Sequence, residues 1–340
     1  MKIKMNQLLR YRNVWLGTAM AWIMLAHSGF GHPSAVFAYL KLWGYGGVDI
    51  CLFASGLGCY FSLEKDPDIL RFQKRRLRRL APAYLCFLFP WLLWKLATSD
   101  FPARAVVGNL LGIQHLTGMG NSFNWYISAL VLFYLAAPYL KAYADRGEGA
   151  GWQLRMIGFL LLLSVPFWKN YEYIVVLARL PVFYLGMALG KQCKADRELD
   201  GKGISLCLGG MAAGFGLLYL AQQNLEQLLW THGLYWYPFL LITPGLCLMI
   251  HLAATFCEKR KALRWINRGF EIIGKYSFEI YLIHIPLYEE LHGLFAQWKL
   301  PYDNNLLWLC TLPVVAIGCV ALKAAAAAVS GLLNRKTAVS

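Results

Sequence analysis

Apolar positions in this chain do not alternate with polar ones. They run in long blocks, interrupted by short clusters of charge. A helix needs about 20 predominantly apolar residues to cross a bilayer. Ten segments approach that length: 13–31, 43–63, 80–98, 123–141, 154–172, 174–191, 203–222, 236–256, 272–291 and 304–326. Backbone amides and carbonyls in lipid must be satisfied within their own segment, so each block predicts a helix. The expected fold is an all-α, polytopic transmembrane bundle of about ten helices. The fifth and sixth blocks are divided only by Lys169, Asn170 and Glu172. The stretch 102–120, punctuated by Pro102, Gly108, Gly112, Gly118 and Gly120, reads as an outer loop with a short re-entrant or interfacial helix. No fixed-period repeat and no block polar enough for a soluble domain breaks the pattern, so residues 1–340 read as a single membrane-embedded domain.

Composition agrees. Hydrophobic residues make up 58% of the chain and charged residues 15%, against about 25% charged in soluble domains. So little charge cannot clothe a water-facing surface. The net charge of +15 raises the question of nucleic acid. Its distribution answers it. With the N-terminus in the cytoplasm, 27 of the 33 Lys and Arg fall on the inner side, leaving Lys41, Lys95, Arg104, Lys169, Arg179 and Lys299 outside. That asymmetry predicts both termini inside and accounts for the charge without a nucleic-acid partner. The basic start MKIKMNQLLRYRNVW runs straight into apolar sequence and reads as a first anchor rather than a cleaved signal. Nine Cys, mostly in apolar runs and without a CxxC pair, predict neither disulfides nor a metal site.

Ionisable residues inside a span are costly and mark candidate sites. His27, Asp49, Arg179 and His284 stand out. At 1.5 Å per residue they lie at one level, roughly 6–11 Å below the outer interface, which suggests a polar cavity open to the outside. Each has a plainer reading. His27 could hydrogen-bond across helices, Arg179 could snorkel to the surface, and Asp49, after Gly46 and Gly47, could serve helix packing or capping. His115, His232 and His292 fall in outer loops and need no functional account. The run RFQKRRLRRLAP (71–82) overlaps the basic loop 64–79 on the predicted inner side. It reads as a topology determinant meeting anionic lipid, or as a phosphate clamp. Arg76 and Arg79 are three apart and share a helix face, and guanidiniums grip phosphate bidentately.

The order of motifs adds a resemblance. MLAHSG places His27 late in the first span. GYGGVDICLFASG carries Gly47, Asp49, Ser55 and Gly56. RRLRRLAPAY carries Arg75, Arg76, Arg79, Pro82 and Tyr84. NWYISALVLFYLAAPYL opens on Trp125 and holds Pro138. FYLG ends at Gly186, and YSFEIYLIH carries Ser277, Tyr281 and His284. Over nearly its whole length the chain resembles the acyltransferase type 3 family, integral membrane proteins that O-acylate surface glycans and other exported molecules.

The resemblance implies acyl-CoA, with acetyl-CoA expected, as donor, and a glycan or lipid-linked glycan as acceptor at the plasma (inner) membrane. It implies Arg76 and Arg79 on the CoA phosphates and His27 as general base on the acceptor hydroxyl, with a transient acyl-His as the alternative. Asp49 would orient or charge-stabilise His27. Trp125 would stack on a sugar, with Arg179 and His284 also at the acceptor. One position departs from the pattern. A basic residue commonly stands eleven before the His; here it is Leu16, and Arg12 is the nearest cation. Either Arg12 reaches up to replace it or the contact differs. Two rival readings remain: a transporter or flippase using the same polar layer, and a non-catalytic partner of a glycan-export complex.

Overall fold

The computed structural model describes residues 2–31, 33–99, 101–118, 124–225 and 232–337. Among the described residues there are fifteen α-helices: α1 Arg12–Ala26, α2 Ala35–Leu42, α3 Gly46–Lys65, α4 Ile69–Thr98, α5 Ala103–Leu111, α6 Gln114–Thr117, α7 Trp125–Arg146, α8 Ala150–Ser164, α9 Tyr171–Leu177, α10 Leu180–Lys194, α11 Gly201–Asn224, α12 Phe239–Glu258, α13 Arg264–Lys275, α14 Ser277–Gln297 and α15 Asn304–Thr337. Among the described residues the strands are two short ones, Ile3–Lys4 and Glu198–Leu199, paired antiparallel. The protein is an all-α, multi-pass membrane protein.

Among the described residues, eight helical stretches are long and apolar enough to cross a membrane. The two expected spans that fall short contain or lead into the histidines. Helix α1 has 15 residues and stops just before His27. Helix α14 has 21 residues but carries Glu279, Glu289 and Glu290 beside His284.

Three expectations need correction. The basic stretch 64–79 is not a loop. Helix α3 runs to Lys65 and α4 begins at Ile69, so only residues 66–68 connect them. No Gly or Pro stands between Ile69 and Ala81, and Arg, Lys, Gln and Leu are good helix formers. The sixth span is broken: α9 ends at Leu177 and α10 starts at Leu180, with Pro181 in its first turn, where the missing N–H is harmless. The interval after Pro102 holds two short helices, ended by Gly112 (φ 67°) and Gly118 (φ 61°) in the left-handed region that glycine tolerates. Residues 119–123, which include Gly120 and the expected start of the fourth span, lie outside the described residues.

The chain divides into two compact units. The first takes residues up to Ile23, Tyr45–Ile69 and Leu132–Lys275. The second takes Met24–Gly44, Leu70–Val131 and Tyr276 onward. In the first unit, α3 crosses α10 through two glycines. A Cβ on Gly56 would lie 2.0 Å from the Phe183 carbonyl oxygen, and one on Gly186 would lie 2.0 Å from the Phe53 carbonyl oxygen. Backbones touch here, as at small-residue crossings in membranes generally. The Ser55–Gly56 and FYLG motifs therefore have a packing explanation independent of chemistry. Gly186→Ala should destabilise the protein by about 1–3 kcal/mol through overpacking, read as an earlier thermal transition in detergent. An unchanged transition would show that the helices separate freely.

In the second unit, Glu290 of α14 accepts from Trp94 Nε1 at 2.8 Å and pairs with Lys95 at 2.5 Å, fastening α14 to α4.

Candidate active site

The two histidines come together in the second unit. His27 occupies the turn directly after α1, where Ser28 closes the helix end by donating its N–H (3.1 Å) and Oγ–H (2.7 Å) to the Leu25 carbonyl. His284 lies within α14 and is fully buried. The ring centroids are 5.4 Å apart. His284 Nδ1 is 2.7 Å from the Ile280 carbonyl oxygen. A carbonyl can only accept, so that nitrogen carries the proton and Nε2 carries the lone pair. Nε2 is buried and makes no hydrogen bond among the described residues. The ring is thus held in a tautomer able to take a proton.

Aromatic rings extend from this pair. Tyr281, one turn before His284, meets Tyr126 at 5.0 Å, Tyr126 meets Trp125 at 6.1 Å, and Trp125 lies 6.5 Å from His115. Trp125 is positioned by a buried hydrogen-bond network beside it. Asn124 Nδ2 donates to the Tyr84 hydroxyl (3.0 Å) and to Asn109 Oδ1 (2.6 Å), and the Tyr84 hydroxyl donates to the Asn109 carbonyl (2.6 Å). Ser128 donates to the Gly112 carbonyl at 2.8 Å. These bonds tie α4, α5 and the start of α7 into one support. Sequence reasoning missed this group. His115, assigned to an outer loop, is buried, as are Asn109, Gln114 and Asn124. Polar amides near turn-forming glycines carry no signal that they will be enclosed.

Asp49 and Arg179 form a separate pair in the first unit. Arg179 Nε donates to Asp49 Oδ2 at 3.3 Å, Nη1 donates to the Val175 carbonyl at 2.9 Å, and the guanidinium lies 5.1 Å from the Trp236 ring centre. Both side chains are buried, so Arg179 does not snorkel to a surface. His27 thus pairs with His284 in the second unit and Asp49 with Arg179 in the first, and the carboxylate expected to support His27 has Arg179 as its ion partner.

Arg76 and Arg79 both project from α4 but differ in surroundings. Arg76 is buried with its guanidinium 5.0 Å from the Phe72 ring, whereas Arg79 is exposed. Arg12 uses Nε (3.2 Å) and Nη2 (3.1 Å) to donate to the Ala54 carbonyl, midway along α3. Arg12, one turn below Leu16, is thus directed at the neighbouring helix. Among the described residues no group of three or more His, Cys, Asp or Glu is placed to hold a metal ion.

A family model described as an acyltransferase domain matches residues 13–324. Individual curated proteins and solved structures give no significant match.

Proposed function

We propose, from the premise that this chain belongs to the acyltransferase type 3 family, that it moves an acyl group, acetyl in the first instance, from cytosolic acyl-CoA to a hydroxyl of an exported glycan or glycolipid. Family membership makes it a membrane acyltransferase; donor, acyl group and acceptor are our reading. The observation that supports the chemistry is the His27–His284 pair, with a lone-pair nitrogen fixed on one ring. Imidazole exchanges protons near neutral pH, as a general base must.

In this reading His27 takes the proton of the acceptor hydroxyl while its oxygen attacks the thioester carbonyl. The tetrahedral intermediate collapses by breaking the carbon–sulfur bond. The proton then passes from the imidazolium to the departing CoA thiolate. A route in which His27 itself carries the acyl group remains the alternative. His284 stands close enough to share charge with His27. Trp125, backed by the Tyr84–Asn109–Asn124 network, offers a ring face to a sugar. Arg76, held in place on Phe72, and Arg79, exposed, would together meet the CoA phosphates, one guanidinium fixed and one adaptable. The inner-side bias of Lys and Arg supports α4 opening to the cytoplasm of a plasma membrane, where CoA is found. The Asp49–Arg179 pair joins α3 to the α9–α10 break.

The direct test is transfer of labelled acetyl from acetyl-CoA by the purified protein, together with the acyl content of surface glycans from cells with and without the gene. Unchanged glycan acylation, with solute flux and no binding of a CoA analogue, would instead identify a transporter. Arg76→Ala with Arg79→Ala should weaken CoA binding at least tenfold, because each charge-assisted hydrogen bond contributes about 1.5–3 kcal/mol. Lys at both positions keeps the charge but loses the fork and should recover part of the affinity. Normal CoA binding by the double Ala protein would leave this stem as a topology determinant alone.

A further inference from the structure

Helix α13 has no part in the acyl-transfer reading, yet its surface is sharply divided. Its 12 residues, RWINRGFEIIGK, are too few and too polar to cross a membrane. One side is fastened to the first unit. Asn267 Nδ2 donates to the Ala254 carbonyl at 2.8 Å. A Cβ on Gly274 would lie 1.9 Å from the Asn13 carbonyl oxygen, and one on Gly17 would lie 1.9 Å from the Phe270 carbonyl oxygen. Backbone therefore meets backbone, and α13 is laid rigidly against α1. The opposite side is open and carries two kinds of residue in adjacent strips. Trp265 (71% exposed) and Ile272 (51% exposed) form an apolar strip. Arg264, Arg268 and Lys275, also exposed, form a cationic one.

Beneath the cationic strip lies a cavity of about 470 Å³, whose lining includes Arg10, Tyr11, Arg264, Trp265 and Arg268. Two carboxylates also line it, Glu258 and Glu271. Arg264 turns toward the first, with Nε donating to the Glu258 carbonyl at 2.9 Å and lying 3.8 Å from its carboxylate. Arg10 and Arg268 outweigh the remaining Glu271. Across 258–275 six cations stand against two carboxylates. An anion is favoured here, and guanidiniums suit phosphate oxygens.

We propose that α13 and this cavity bind the headgroup of an anionic phospholipid. The phosphate would sit among Arg10, Arg264 and Arg268, while Trp265 and Ile272 enter the boundary between headgroups and acyl chains. The apolar strip decides between sources of phosphate. A soluble phosphate compound gains nothing from an exposed Trp and Ile one strip away, whereas a lipid supplies headgroup and chain at that spacing. Amphipathic helices with basic residues on one face and Trp on the other bind the membrane interface in this way. Gly17 and Gly274 make the site rigid, so little ordering of α13 accompanies binding.

The test uses the full-length protein in dodecyl maltoside micelles, with thermal unfolding titrated by phosphatidylglycerol, phosphatidylcholine, inorganic phosphate and CoA. Phosphatidylglycerol should raise the unfolding temperature, less so at high salt, and phosphatidylcholine and inorganic phosphate should not. Arg268→Gln should weaken the phosphatidylglycerol response about fivefold, as expected for one cation at a membrane surface. Arg264→Gln with Arg268→Gln should weaken it at least tenfold. The single Arg268→Gln leaves the Arg264–Glu258 contact in place and serves if the double protein is unstable. Trp265→Gln should also weaken the response. Equal shifts with phosphatidylcholine, or an undiminished response in Arg268→Gln and Trp265→Gln, would overturn the proposal. A CoA response lost in Arg268→Gln would overturn it too, by making the cavity a nucleotide site. None of these readouts depends on acyl transfer, so the outcome stands apart from that of the proposed function.

Discussion

His27→Gln should lower acyl transfer by about 10²–10⁴-fold, the usual contribution of a positioned general base, while insertion and CoA binding stay normal. Gln keeps much of the size and hydrogen-bonding capacity of His but cannot take a proton. If His27 only bridged helices, Gln would preserve most of the bond, transfer would be retained, and any loss would be about 0.6–2 kcal/mol of stability. Full activity in a well-expressed His27→Gln protein would remove this residue from the mechanism and leave His284 as the candidate base. His284 already has its proton on Nδ1, held by Ile280, and a buried lone pair on Nε2. His284→Gln should also impair turnover if the two rings, 5.4 Å apart, share the proton. The double substitution should then cost little more than the worse single one, because residues acting as a unit are not additive. Multiplicative losses would mean that the rings act independently.

Arg179→Met should have the largest effect on stability. It leaves the Asp49 carboxylate enclosed without its ion partner, and breaking a buried pair on one side costs about 3–5 kcal/mol. Folded yield should collapse or the thermal transition fall sharply. Asp49→Leu combined with Arg179→Met removes both charges and should restore most of the loss, since a buried pair replaced by apolar residues is often no less stable. This rescue separates two roles. If Arg179 contacts the acceptor, the rescued protein folds but shows a raised KM. If the pair only joins α3 to the α9–α10 break, the rescued protein folds and turns over normally. Failure of the double variant to recover would show that the contacts of Arg179 with the Val175 carbonyl and Trp236, rather than the ion pair, carry the loss.

The fold class was legible because bilayer thickness fixes helix length, and apolar blocks of that length stand out in the sequence. Chemistry was legible only as depth. A helical rise of 1.5 Å per residue puts His27, Asp49, Arg179 and His284 at one level, but rotation about each helix axis decides which meet. That rotation is set by packing, such as the Gly56–Gly186 crossing, and Asp49 consequently faces a partner 130 residues away. The basic stem of α4 resembles a loop in charge density alone; its residues favour helix and lack a breaker between Ile69 and Ala81. The amides of Asn109, Gln114 and Asn124 had no periodic signature at all; tertiary packing alone encloses them.

The separation of Asp49 from Arg179 also bears on how the chain is made. At roughly 5–20 residues per second, the ribosome needs on the order of 7–26 s to reach Arg179 after adding Asp49. During that interval α3 carries a carboxylate whose partner has not yet been synthesised. Early entry of α3 into lipid therefore proceeds with Asp49 protonated or still touching water. The carboxylate settles in its final place when α9 and α10 arrive. Biogenesis of the first unit is thus completed from its later helices, and a chain truncated before Arg179 should be retained by the insertion machinery or degraded.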